Sequence, residues 1–383
     1  MNCLRISLLA VLLGPLSLRA GEPVDWVDPT IGGVGLLLEP TRPTVHLPNS
    51  MVRVYPVRKD QLDDQIRSFP LTVISHRLGE LFALMPGAKE GPASWDQEVA
   101  TPYYYSTRFD DSMIRAEFTP AERAGHFRFT FPDDKATLRL SNLHPGKVQS
   151  EGSSAVSGEE NFNNMKVYFY GEFSAPVNAT VSGDAKKLLV ARADTKTLNF
   201  RYGISFISIE QAKNNLLREI PTWDFEKLKR AARDRWNDAL GKIKVEGGTD
   251  AQRRVFYTSL YRCYERMINI TEDGRYYSAF DHQVHEDARP FYVDNWIWDT
   301  FRALEPLHLL LNPKMEADQL QSYVRMYEQS GWMPSFAVMW GDYACMNGNH
   351  AAGWFADAWF KGVRDFDVEK AYAGLRKNSL EAT

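Results

Sequence analysis

Cysteine is scarce, with three in 383 residues, and none is spaced as a metal-binding pair, so neither a disulfide scaffold nor a cysteine zinc site organises the chain. Cys3 lies at the extreme N-terminus. Cys263 and Cys345 sit in aromatic-rich sequence of helical pattern and read equally as a disulfide or as free, buried thiols. Runs of basic residues are also missing. The formal charge is −4, or −6 once Arg5 and Arg19 leave with a leader, which argues against nucleic acid and anionic membranes as partners. The only long apolar stretch runs from Ile6 to Leu18. At about 13 residues and interrupted by Pro15, it is too short to span a bilayer comfortably. With Arg5 before it and Leu18-Arg19-Ala20 after it, residues 1–20 read as a cleaved secretory signal peptide. The expected product is exported, to the periplasm, the cell surface or the medium, with no membrane span after cleavage.

What is present is a soluble globular balance, 44% hydrophobic and 25% charged, rich in aromatics with ten Trp and seventeen Tyr. Large rings of this kind serve cores, and they also stack on the faces of sugars. From Asp25 to about Ile209, short alternating runs such as Met113–Phe118, His126–Phe131 and Lys166–Phe173 are separated by Pro, Gly, Asn and Asp. They predict an antiparallel β-sandwich domain over 21–215. The pattern then changes to a helical spacing, Phe225, Leu228, Ala232, Trp236 and Leu240, with Thr222 as a plausible N-cap, giving a helical linker over 216–248. Thr249 to Gln252 reads as a capping box. Further helices are predicted over Trp296–Leu311, Pro313–Gln329, Gly348–Val363 and Val368–Leu380, making the last part all-helical. Five such helices look like the opening of an (α/α)6 toroid over 249–383. Closing one takes about twelve helices, so the toroid is expected to be incomplete.

Two stretches concentrate polar and aromatic side chains. In Asn295–Arg302, Trp298 next to Asp299 suits a pyranose, with a ring for its C–H face and a carboxylate for its hydroxyls. The same residues also read as a core tryptophan and a carboxylate that caps the helix or pairs with Arg302 one turn on. His282 and His285 have an i,i+3 spacing found among metal ligands, without a third ligand at a recognisable distance, and read as structural. In the second stretch, Met333 to Ala352, Asn349 and His350 open a helix and either face a ligand or, for Asn347 and Asn349, serve as N-caps.

Beyond these local readings, Trp298-Asp299-Thr300-Phe301-Arg302-Ala303, with Asp273–Tyr276 and Gln283–His285 upstream, resembles the conserved segments of glycoside hydrolase family 92, the α-mannosidases. Asn347 to Ala352, Ala356-Asp357-Ala358, Lys361-Gly362 and Phe366-Asp367 resemble a second segment of that family. Val27–Gly32, Tyr105–Phe109 and Ala121–Gly125 agree more loosely with its N-terminal strands. The resemblance implies a secreted, inverting exo-α-mannosidase acting on terminal α-linked mannose of glycans. It also implies a bound Ca²⁺ gripping sugar hydroxyls, and Trp298, Asp299 and His350 at the substrate. Two departures stand out. The glycine- and histidine-rich segment near the family's N-terminus is here Gly32–Thr41, without histidine, and the strings carrying the catalytic acid and base, Asn-Glu-Pro-x-His and Gly-Gln-x-Ser-Ala-Trp-Tyr, do not occur. The acid, the base and most calcium ligands are therefore expected beyond Thr383, and the chain alone is expected to be inactive. The alternative is a non-catalytic carbohydrate-binding protein that keeps part of the sugar pocket.

Overall fold

The computed structural model describes residues 21–35, 41–75, 79–183, 188–343, 345 and 348–381. The proposed signal peptide, part of the Gly32–Thr41 segment and Asn347 lie outside these residues. Two large antiparallel sheets dominate the first half, beside two short ribbons, 45–46 with 53–54 and 72–73 with 80–81. The larger has nine strands in the order 146–151, 155–162, 165–173, 197–205, 124–130, 115–120, 104–109, 93–101 and 65–66. The smaller has four, in the order 178–182, 188–193, 136–141 and 83–86.

Period-two alternation explains how these strands bury one face. Along Thr197–Ser205, Leu198, Phe200, Tyr202 and Ile204 are fully buried. Register places Phe200 opposite Phe127, which in turn faces Phe118 on the other side. The Phe127 ring stacks with Phe129 and Tyr202 at centroid distances of 5.6 and 6.1 Å. Leu138, Leu140, Leu189 and Ala191 from the smaller sheet join the same apolar cluster. The opposite face of the large sheet carries ion pairs. Arg128 forks onto both oxygens of Glu117 at 2.7 and 2.8 Å, and Arg201 donates twice to Glu172.

Two helices cover that charged face. α1 (Ile209–Glu219) is capped by Ser208 and packs Ala212 and Leu216 on Ala124, Ala155 and Tyr170. It comes so close that a Cβ on Gly203 would sit 2.1 Å from the Ala212 carbonyl, so only glycine fits there. α2 (Phe225–Leu240) sets Phe225 under the Arg128 guanidinium, 4.1 Å from its ring centre. The sequence reading missed α1 altogether, and α2 starts after an Asp224 cap rather than at Thr222. α3 (Asp250–Arg262) begins with the expected capping box and shares a cluster with α2 and Val24 of the short helix Pro23–Trp26.

The last part is not all-helical. Three two-stranded ribbons, 268–269 with 292–293, 275–278 with 283–286, and 337–338 with 341–342, interleave with its helices. The single helix expected from Trp296 to Leu311 is two: α4 (Ile297–Thr300), one turn long, and α5 (Leu304–Leu311). Pro306 gives the reason, because in a continuous helix its ring would strike the Arg302 carbonyl, and it has no N–H to donate there. α6 (Pro313–Ser330) has Pro at its first position and ends at Gly331 with φ of 80°. α7 (His350–Phe360) and α8 (Val368–Leu380) follow, the former shorter than the expected Gly348–Val363. Cys263 and Cys345 are both free thiols. The first is half-buried, and the second is exposed in a loop rather than in a helix.

Polar contacts fasten the β and helical regions together. Arg53 of the β region is buried against Asp294 at 3.4 Å and donates to the Val73 and Ile74 carbonyls, while Ser75 bonds the other Asp294 oxygen. Arg123 reaches the Thr271 carbonyl at 2.6 Å. The strand residue Asn295 follows Asp294 and opens the turn that carries Trp298 and Asp299.

Candidate functional site

Because α4 is a single turn, Trp298 and Asp299 project from a tight bend rather than from the flank of a long helix. Trp298 is half-buried. Its ring meets Phe336 edge to face at 4.3 Å and lies 5.7 Å from Trp296, which itself contacts Phe336 at 5.2 Å. Three rings thus form one wall, and Tyr343 extends it at 6.0 Å from Phe336. The Ser335-Phe336 backbone that carries the wall is held by Asp342, whose carboxylate accepts from both N–H groups.

Asp299 is exposed, and no described residue donates a hydrogen bond to its side chain or pairs with it. The helix-capping and Arg302-pairing readings are corrected: Trp296, not Asp299, occupies the N-cap position of α4, and Arg302 lies over the Phe301 ring. An exposed carboxylate that follows a residue of the aromatic wall in sequence is open to accept hydrogen bonds from hydroxyls.

His350 begins α7 and stacks on Phe301, the residue that ends α4, with centroids 4.9 Å apart. The three candidate residues therefore share one neighbourhood, His350 reaching the turn through Phe301. Asn349 stands at the N-cap position of α7 but makes no side-chain cap bond. Its amide donates to the Leu375 carbonyl and Ser379 hydroxyl of α8, and so ties α7 to α8. His282 and His285 are kept apart from one another, on Tyr277 at 3.2 Å and Asp281 at 2.8 Å respectively.

Beside the wall, an open cleft of about 590 Å³ separates the Asn163-Asn164 turn of the large sheet from Phe280, Trp340 and Tyr343 of the helical region. Sequence reasoning did not anticipate it, since it joins residues more than a hundred positions apart. Nor did it single out the acids behind the turn. Glu305 on α5 and Glu316 on α6 are both buried, and burial raises both carboxyls above the ordinary range, Glu316 well above it with Glu305 adding repulsion. The available signal was a polar stripe, Glu316, Gln319 and Tyr323, at helical spacing on a face that should be apolar.

A calcium ion takes six to eight oxygen ligands, usually with several carboxylates. Among the described residues no group of three or more His, Cys, Asp or Glu is placed to hold a metal, and Asp299 stands as one free carboxylate at the turn. These residues do not make a calcium site by themselves.

The description "Glycosyl hydrolase family 92 N-terminal domain" matches residues 26–214, and "Glycosyl hydrolase family 92 catalytic domain" matches 211–383. A protein of Arthroderma benhamiae described as an uncharacterized secreted glycosidase is 27% identical over 336 residues, spanning 74% of this chain and 39% of its own length. Among solved structures, a family 92 inverting mannosidase of Bacteroides thetaiotaomicron superposes with a TM-score of 0.87 at 31% identity, over 94% of this chain and 55% of its own. A family 92 α-mannosidase of the same organism gives 0.84 at 21% identity, over 95% and 58%, a likeness of fold. The chain thus spans between 39% and 58% of the length of these relatives.

Proposed function

Since the chain belongs to glycosyl hydrolase family 92, we propose that it supplies the sugar-binding turn of an inverting exo-α-mannosidase that removes terminal α-linked mannose from glycans. The observations behind this reading are the exposed Asp299 carboxylate, unpaired among the described residues, and its sequence neighbour Trp298 in the aromatic wall. The ring receives the C–H face of a mannose, and the carboxylate accepts from its hydroxyls. His350, stacked on Phe301, closes the neighbourhood from α7.

In this proposal α3 and α5 to α8 belong to an (α/α)6 toroid, and the protein is exported. No helix among the described residues is long and apolar enough to cross a membrane. An inverting mechanism needs an acid on the leaving oxygen and a base on a water, about 6.5–9.5 Å apart. The family strings that bear them are not in these 383 residues.

Residues 21–383 are therefore expected to bind mannobiose without hydrolysing it, with Asp299→Asn and Trp298→Ala each weakening binding about tenfold to a hundredfold. Calorimetric titration with α-mannobioses, alongside a mannose-release assay with Ca²⁺ and with EDTA, tests this. Calcium-dependent release would move the acid and base onto carboxylates within this chain. Binding without release under every condition would equally suit a carbohydrate-binding role. No binding would remove the sugar-site reading.

A further inference from the structure

The β region and the helical region meet across the open cleft beside the aromatic wall. On the β side, strands 155–162 and 165–173 pair Phe162 with Met165 and leave a two-residue loop, Asn163-Asn164, with φ of 47° and 64°. Two positive angles in succession make a type I′ turn, a geometry that asparagine tolerates better than most side chains. The turn is anchored at its base. The Phe162 ring meets Trp340 edge to face at 5.1 Å and His144 at 4.9 Å. Asn163 and Asn164 themselves are exposed, and no described residue hydrogen-bonds to either side-chain amide.

On the helical side, Phe280 and Trp340 are half-buried and Tyr343 is 54% exposed. The cleft of about 590 Å³ that these rings share with the two amides lies within the range of about 300–1,000 Å³ usual for small-molecule sites. Its chemistry narrows what can enter. No lysine or arginine is among the described residues that line it, and its one carboxylate, Asp342, already accepts from the Ser335 and Phe336 N–H groups. A phosphorylated or acidic ligand would therefore meet a negative charge with no lysine or arginine to offset it. A neutral pyranose matches what is there. Its C–H faces suit the rings, and its hydroxyls, which both donate and accept, suit amides that do the same.

The cleft is also continuous with the Trp298 turn. Tyr343 lines it and lies 6.0 Å from Phe336, which in turn meets Trp298 at 4.3 Å. We propose that the cleft is a second sugar subsite, which takes the neutral pyranose to which the terminal mannose is attached, and that the Asn163-Asn164 turn is its specificity-determining element. This assignment rests on the sugar reading given under Proposed function, since it fills the cleft with the ring next to the one bound at the turn.

The test compares methyl α-mannoside, which has one ring, with the 1,2-, 1,3-, 1,4- and 1,6-linked α-mannobioses in calorimetric titrations of the full chain. The best-binding mannobiose is expected to bind about tenfold more tightly than methyl α-mannoside. The combined Asn163→Gly and Asn164→Gly variant removes both amides and keeps the turn, because glycine adopts positive φ freely. It is expected to lose most of that gain and to bind methyl α-mannoside within about twofold of the wild type. The side-chain amide resonances of Asn163 and Asn164 supply a second measurement on the unaltered protein, which carries the test if the variant does not fold. They are expected to shift with the mannobiose and to stay in place with methyl α-mannoside.

Methyl α-mannoside bound as tightly as every mannobiose would overturn the subsite and leave the sugar reading at Trp298 standing. A gain that survives in the double variant, or amide resonances that do not move with the mannobiose, would place the second ring elsewhere and overturn the assignment. Binding of neither ligand would remove both readings.

Discussion

The β region and the helical region treat buried charge in opposite ways. On the outer face of the large sheet carboxylates meet cations: Glu117 takes both arms of Arg128, and Glu172 takes Arg201. Behind the Trp298 turn, Glu305 and Glu316 are both buried, Glu305 repels charge on Glu316, and neither makes an ion pair among the described residues. The first arrangement stabilises ions, and the second stabilises neutral acids. The outer surfaces differ as well. Apolar side chains exposed on the β region are scattered, whereas Phe360, Tyr372 and Leu380 are 85%, 66% and 65% exposed on neighbouring parts of α7 and α8. The β region resembles a finished core, and the helical region keeps polarity inside and apolar surface outside.

Three measurements would break or sharpen that contrast. The largest effect is expected in the β core, where Phe127→Ala removes a ring 1% exposed and stacked on two others, at a cost of about 3–5 kcal/mol in urea denaturation. A loss below about 1 kcal/mol would show that this core repacks freely and is not the closed unit described.

The second concerns pH. A carboxyl held above its unfolded value keeps its proton in the folded state, so its contribution is full below about pH 4.3. It is lost as pH rises toward the folded value, at about 1.4 kcal/mol per pH unit per group. Glu305 and Glu316 act this way, and so does Glu160, raised to about 7. Glu316→Gln should therefore flatten the decline in stability between pH 5 and 8 by about one proton's slope and raise stability at pH 8. An unaltered slope would mean that Glu316 is already ionised.

The smallest effect is a pair of opposite sign. Tyr202 donates to the buried Leu71 carbonyl at 2.7 Å, whereas the buried Tyr323 hydroxyl has no partner among the described residues. Tyr202→Phe should cost about 1 kcal/mol, and Tyr323→Phe should be neutral or stabilising by a similar amount. Equal losses would place an unseen partner on Tyr323 and weaken the contrast.

Much of this was legible beforehand where a residue's fate depends on its near neighbours. Alternation fixed which faces of strands 124–130 and 197–205 turn inward, the Thr249-Gln252 capping box marked the start of α3, and Gly331 marked the end of α6. Other features were missed for physical reasons. α1 is strongly amphipathic but follows a strand without a break, and the stretch 296–311 has helical periodicity that hides the effect of Pro306.

The two structural regimes and the family could be read from the chain alone, because each depends on local periodicity or on contiguous residue types. It took the tertiary structure to show that Asp299 has no side-chain partner among the described residues, that His350 stacks on Phe301 two residues further on, and that buried Glu305 repels charge on Glu316. The charge state of an acid is set by whatever the fold brings against it, and here that neighbour comes from another helix.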